Sequence, residues 1–478
     1  MTDLAELTAL ETAAAIRERQ VSAVEVTEAA LRRAEADAWG AFVTLAPDLA
    51  LRQAADIDRR LADEPTLDLP LLGVPCPIKD LNPVAGVGFE AGSTAMRGNL
   101  AEVDDGIVEW LREAGTTMLG KTATPEFGFP CYTEPDGRPP AATPWDPTRS
   151  AGGSSGGAAA AVAAGIVPIA QASDGGGSIR IPASACGLVG LKPSRGRVSS
   201  GPLMPPGPGL ATAGVLTRTV ADTAAALDVL AGYRTGDTYV APPPSGSFLA
   251  ATRLRPTGLR IGVLTTPVIA EAEVHPACLE AVTAAVRLLQ DAGHVMEEAP
   301  APFAVERWDA FTALWTVGAA SIPLPPEADP LLTPLTRWLR EQGRGVTALE
   351  HAAALAELQR LTREVALAWD EFDLILTPTL AQPPAPIGSL RDDTDPAGDF
   401  AAQTRFTPWT SVCNLSGLPA ISLPLHVAEV DGIRLPIGIM LGARFGAEET
   451  LLSVGAALEE AAGGWEQAGP WRRVPTLA

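Results

Sequence analysis

Apolar residues follow two rhythms along the chain. From Leu4 to Leu61 they recur at helical spacing among many Ala, Glu and Arg, which predicts two or three amphipathic helices. The apolar run Leu71 to Ile78, flanked by prolines and ended by Lys79-Asp80, is too short for a helix and predicts a buried strand. Asp105 to Ala114 predicts a helix and Thr116 to Leu119 the next strand. Beyond a Pro-rich loop from Gly137 to Pro147, the Gly/Ser segment Gly152 to Gly157 opens an Ala-rich helix ending at Ala164. Val167 to Ala170 predicts a strand, and Asp174 to Ser178 a tight glycine turn feeding another helix. Leu259 to Leu264 predicts a strand, Pro276 to Ala292 a helix, and Val305 to Trp369 a mostly helical stretch. Strands over Leu374 to Thr377, Ala420 to Leu425 and Ile437 to Leu441 come next, and a helix over Glu448 to Ala461 closes the series.

Strands and helices that alternate in this way argue for an α/β sandwich around one mixed sheet. No internal repeat and no long linker divides the chain, so one domain over 1–478 is expected, with N-terminal helices over about 1–65 and a helical excursion over about 300–372. The Pro/Gly-rich stretches Gly201 to Gly209 and Ala241 to Ser247 are expected to be surface loops.

Composition narrows the function. With 478 residues, 46% hydrophobic and 19% charged, the chain has material for a large core. A net charge of -22 with no basic face argues against nucleic acid. The uncharged stretch Ser150 to Ser173 is too rich in Gly, Ala and Ser for a membrane span, and the acidic N-terminal residues do not form a secretory signal, so a cytoplasmic location is expected. Cys76, Cys131, Cys186, Cys278 and Cys413 are scattered without a CxxC pair, which predicts reduced thiols and neither a zinc site nor a disulfide framework. Of the 35 basic residues only three are lysine, at 79, 121 and 192. Where arginine fills the generic basic positions, a retained lysine marks chemistry that arginine cannot do, above all losing its proton when buried. The alternative is retention by chance or packing.

Two familiar motifs fail on context. Gly115 to Thr122 matches the P-loop expression, but a helix precedes it, the strand-like residues lie between its glycines and Pro125 obstructs a following helix. Gly152-Gly153-Ser154-Ser155-Gly156 matches the nucleophile elbow, yet it follows a turn-rich loop and not a strand. An elbow also needs a histidine base, and His275, His294, His351 and His426 stand in no recognisable setting; only His426, just after a predicted strand, is worth naming.

What remains is Ser154-Ser155-Gly156-Gly157, followed by Ser178 within Ser173-Asp174-Gly175-Gly176-Gly177-Ser178-Ile179-Arg180-Ile181-Pro182. Glycines directly before a helix let successive backbone N–H groups converge on one point beside a hydroxyl, which makes an oxyanion site; a plain Gly-rich helix entry is the structural alternative. At these residues the sequence resembles the amidase signature family. The matching pieces also include Gly73-Val74-Pro75 through Ile78-Lys79-Asp80, Gly120-Lys121-Thr122, Pro144-Trp145-Asp146-Pro147, Gly187 to Pro193 and Gly417-Leu418-Pro419-Ala420, in the family's order over nearly the whole chain. Thr133-Glu134-Pro135 and Gly236-Asp237-Thr238 resemble the branch containing the 6-aminohexanoate cyclic dimer hydrolase.

The resemblance implies a three-layer α/β/α sandwich and a cofactor-free, metal-free hydrolase of a small-molecule amide. Its triad would be Ser178 as nucleophile, Ser154 as proton relay after a cis peptide bond to Gly153, and Lys79 as base. The backbone N–H groups of Gly175, Gly176, Gly177 and Ser178 would hold the oxyanion, with Ser155, Asp174 and Arg180 in support. Gly175 departs from the family, which often has Thr or a branched residue there. Lys121 and Lys192 match family segments but no catalytic position. The segments Thr124 to Tyr132 and Phe406 to Asn414 would border the substrate pocket, with Tyr132, Trp409 and Asn414 as candidate contacts, although core is the commoner fate of an aromatic.

Other readings are an ester or carbamate hydrolase with the same triad, a non-catalytic binding relative, and the glutaminase subunit of a tRNA-dependent amidotransferase. The last typically has Gln after the Ile-Arg, where this chain has Ile181. Association as a homodimer is left open.

Overall fold

The computed structural model describes residues 4–464. The chain folds as an α/β protein around an eight-stranded mixed sheet, formed by β1 (Ile169–Asp174), β2 (Val189–Lys192), β3 (Thr212–Thr217), β4 (Arg260–Val263), β5 (Val295–Glu298), β6 (Leu374–Pro378), β7 (Ala420–Val430) and β8 (Ile433–Ala443). Their order across the sheet is β5-β4-β6-β8-β7-β2-β3-β1. The β5-β4-β6 edge is parallel, and every other neighbour is antiparallel.

Period-two alternation sends neighbouring strand residues into different cores. Ile169 and Val215 join one apolar cluster with the helices Pro276–Asp291 and Glu448–Ala461, while Ala170 and Leu216 join another with the helix Gly156–Ala163. Helices therefore cover both faces, the arrangement that a sheet apolar on both sides requires. The helix Arg180–Cys186 lies directly on the strands because two of them carry glycine beneath it. A Cβ at Gly190 would come 2.7 Å from Ala183 Cβ, and one at Gly438 2.6 Å from Ser184 Oγ.

Most expected elements are present with shifted ends. The N-terminal helices are Ala9–Arg17, Ala23–Glu35 and Pro47–Asp63, with a short strand, Phe42–Leu45, between the last two. The first two start with a Thr8 or Ser22 capping box, and the third has Pro47 in its first turn. The expected strand from Leu71 to Ile78 is corrected: only Ile78–Lys79 forms a strand, and Pro75 makes an isolated bridge to Thr117. Pro75 and Pro77 have no N–H to donate, so this buried segment cannot sustain a ladder. The strand expected over Thr116 to Leu119 lies instead at Gly120–Thr122, parallel to Ile78–Lys79 and antiparallel to Phe42–Leu45. Described elements without a forecast include β2, β3, β5, the strands Ala142–Thr143 and Asp146–Ser150, and the helices Val220–Leu230, Phe248–Ala251, Pro396–Phe406 and Thr410–Ser416. The stretch from Val305 to Trp369 is helical in pieces, with its longest members at Asp309–Ala320, Pro334–Gly345 and Ala348–Ala368.

Candidate active site

Lys79 ends its two-residue strand fully buried, and its backbone N–H donates to Gln171 Oε1 on β1 at 2.9 Å. Its Nζ lies 2.9 Å from Ser154 Oγ and 3.1 Å from Ser173 Oγ. Burial pushes the ammonium down to about 7, against the opposing pull of Asp174. Near neutral pH a large share of this amine is uncharged and able to accept a proton.

Ser154 precedes the helix Gly156–Ala163, and its peptide bond to Gly153 is cis. Close backbone packing demands the glycines here: a Cβ at Gly153 would come 2.7 Å from the Tyr132 nitrogen. Thr133 Oγ1 fastens the loop, accepting from the Gly156 N–H at 3.2 Å and donating to the Gly152 carbonyl at 2.8 Å.

Asp174, the last residue of β1, organises the turn that follows. Its carboxylate accepts from the Gly177 and Ile179 N–H groups at 2.8 and 3.2 Å. It also takes both arms of Arg180 at 2.9 Å and Asn414 Nδ2 at 2.8 Å. These charge-assisted bonds outweigh desolvation and hold Asp174 at about 2, so this fully buried pair stays ionised. Arg180 reaches on to the Thr410 carbonyl and Asn414 Oδ1, both at 2.7 Å. From the far side Thr410 and Ser411 each donate to the Gly176 carbonyl at 2.7 Å. Ser178 and Gly176 line a cleft together with the rings of Phe129, Trp308, Phe311 and Trp315.

The site thus holds a buried amine in contact with a serine and a glycine turn whose own serine lines a cleft. The Amidase family model matches residues 25–452. The chain belongs to the amidase signature family. It is 37% identical to a putative amidase of Synechocystis sp. over 96% of this chain and 89% of that protein. It is 35% identical to the 6-aminohexanoate-cyclic-dimer hydrolase of Pseudomonas sp. strain NK87, over 82% of this chain and 83% of that protein. The solved structure of a 6-aminohexanoate cyclic dimer hydrolase superposes with a TM-score of 0.89 at 32% identity, covering 97% of this chain and 98% of that one. Amidase signature proteins of this kind are enzymes that hydrolyse amide C–N bonds.

Within this amidase signature fold the expected residues divide into three groups. Lys79 and Ser154 meet directly, and Ser178 opens into the cleft. Ser155, Asp174 and Arg180 brace the surroundings; Ser155 Oγ bonds the Ser173 backbone, donating to its carbonyl at 3.2 Å. The expected oxyanion set is corrected at Gly177, whose N–H is already committed to Asp174. Gly175, Gly176 and Ser178 keep theirs.

The three expected substrate contacts are also corrected, since none lines the cleft. Trp409 is core, with Nε1 donating to the Thr266 carbonyl at 2.9 Å. Tyr132 is buried and donates to Asp399 Oδ2 at 2.7 Å. Asn414 stands behind the turn, where it holds Asp174. Of the two segments expected to border the pocket, the first contributes Phe129, Pro130 and Cys131 to the cleft lining and the second Thr407 and Ser411.

Sequence reasoning missed Ser173 as the second partner of Lys79, and missed the aromatic wall supplied by Trp308, Phe311 and Trp315. Ser173 stood inside the recognised motif and carried a signal. The rings carried none, because on helical segments they match any packed face. No histidine lines the cleft. His275 caps a helix by accepting the Ala277 N–H, His294 accepts the Leu259 N–H, and His426 lies 4.0 Å from Glu280. Among the described residues no helix is long and apolar enough to cross a membrane.

Proposed function

We propose that this chain hydrolyses amides through a Ser178-Ser154-Lys79 relay and an acyl-enzyme. As Ser178 Oγ bonds to the carbonyl carbon, its proton passes to Ser154, and the Ser154 proton passes to neutral Lys79 Nζ. The N–H groups of Gly175, Gly176 and Ser178 stabilise the negative oxygen of the tetrahedral intermediate. The relay then returns a proton to the nitrogen as the C–N bond breaks, and the amine or ammonia leaves. Water attacks the remaining ester through the same relay, which frees the acid and restores Ser178. Every step uses groups of the chain itself. The observation that carries this reading is the 2.9 Å contact between Ser154 Oγ and an amine that burial brings down to about 7.

An activated serine is testable without knowing the natural substrate. A fluorophosphonate probe is expected to label the wild type at Ser178. Labelling should vanish in Ser178→Ala and slow by about a hundredfold in Lys79→Ala, while His426→Ala labels as the wild type does. An unlabelled wild type, or a probe reaction that depends on His426, refutes the relay.

A further inference from the structure

The missing side chain of Gly175 and the ring that occupies its place have no assigned task. A Cβ at Gly175 would come 3.3 Å from Cη2 and Cζ3 of Trp315, so the indole edge rests on the backbone of the turn, three residues before Ser178. The ring would have to shift to admit even a methyl group, and a branched side chain would displace it. Trp315 is held from two other sides: it stacks on Phe311 with centroids 5.3 Å apart and meets Phe129 edge-on at 5.5 Å. Phe311 in turn stacks on Trp308 at 4.1 Å. The departure at Gly175 and the aromatic wall are thus one feature.

The polar part of the lining has little to offer a substrate. The hydroxyls of Thr404, Thr407 and Ser411 donate to backbone carbonyls, at 2.8, 2.9 and 2.7 Å. Gln403 donates to Asp399 at 2.6 Å and accepts the Cys131 N–H at 2.8 Å. No lining side chain carries a charge. A carboxylate placed here would lose water and meet no cationic side chain, whereas a flat uncharged group would exchange water for rings.

We infer that Trp315, seated against Gly175, is the specificity-determining residue, selecting amides with a flat, uncharged acyl group over those whose acyl group carries a carboxylate. The inference rests on Ser178 as the nucleophile. Ammonia release from benzamide, acetamide and glutamine tests it, because a primary amide leaves only its acyl group to fill the cleft. In the wild type kcat/KM for benzamide is expected to exceed that for glutamine by at least about a hundredfold, and Trp315→Ala to lower the benzamide-to-acetamide ratio about tenfold. Trp315→Phe, which keeps a ring in the stack, should hold that ratio within about threefold of the wild type. If Trp315→Ala does not fold, Trp315→Leu, which fills space without a plane, is expected to show the same loss. A ratio unchanged in the variant that folds, no benzamide turnover by the wild type, or glutamine preferred to benzamide overturns the assignment. Fluorophosphonate labelling of the same preparations reports the hydrolytic reading separately, since a failed selectivity with Ser178 still labelled condemns only the role of Trp315.

Discussion

At the residue scale the proposed relay rests on the desolvation of one amine. All three lysines are buried, and each holds a specific position. Lys121 pairs with Asp80 at 3.0 Å and reaches the Asn82 carbonyl at 2.8 Å, while Lys192 donates to the Pro193 carbonyl at 2.7 Å. Lys79 differs in facing two serine hydroxyls, Ser154 and Ser173, and neither a carboxylate nor a carbonyl. Its value of about 7 means that the charged form dominates in acid and the neutral form in base. The relay needs the neutral form, so activity at subsaturating substrate should rise with pH and level off above about 7. Arginine at this position would stay charged throughout that range, and Lys79→Arg is expected to lose at least about a thousandfold in kcat/KM at every pH. A pH profile of kcat/KM for both proteins checks this, and a Lys79→Arg enzyme that recovers at high pH would contradict it.

At the scale of elements, the loop after β1 is a turn shaped from behind by a buried ion pair. Asp174 fixes two of its N–H groups, Arg180 ties it to the Thr410 carbonyl, and Asn414 closes the network against the Leu210 carbonyl at 3.0 Å. Asp174→Asn would leave the guanidinium of Arg180 charged and fully buried without its counter-ion. Such a loss costs about 3–5 kcal/mol in stability. Urea unfolding should show that decrease, and kcat should fall because Gly177 loses its anchor; unchanged stability would mean that the pair is not what holds the turn. These residues were legible in the sequence because a turn motif is contiguous: Asp174, its glycines, Ser178 and Arg180 lie within seven positions. The role of Asn414 was not legible in the same way. It arrives from a helix, Thr410–Ser416, more than two hundred residues further on, and the sequence could place that segment near the site but not tell a substrate contact from a brace.

At the scale of the molecule, the site draws on sheet elements and on a helical stretch. The relay stands on the main sheet and on the small sheet beside it, where family motifs and apolar runs announce the elements. The short strands β2, β3 and β5 escaped because four to six residues give too little alternation to distinguish from loop. Three rings of the cleft wall, Trp308, Phe311 and Trp315, come instead from the helical excursion, in which Asp309–Ala320 carries Phe311 and Trp315 and packs against Pro334–Gly345. That packing depends on one missing side chain. A Cβ at Gly343 would come 2.0 Å from the Thr316 carbonyl oxygen, a backbone atom one residue past Trp315, so the two helices could not keep their present approach with any other residue there. Gly343→Ala is therefore expected to push the helix of Trp315 off its neighbour while leaving Lys79, Ser154 and Ser178 in place. Limited proteolysis should then cut within residues 305–345 at least about tenfold faster than in the wild type, as expected for a segment whose local opening has become easier. Fluorophosphonate should still label Ser178, because the turn is braced by Asp174 and Arg180 and not by the excursion. Loss of labelling together with faster proteolysis across the whole chain would show that wall and relay fold as one unit; loss of the local effect alone would show that helix packing at Gly343 does not set the wall.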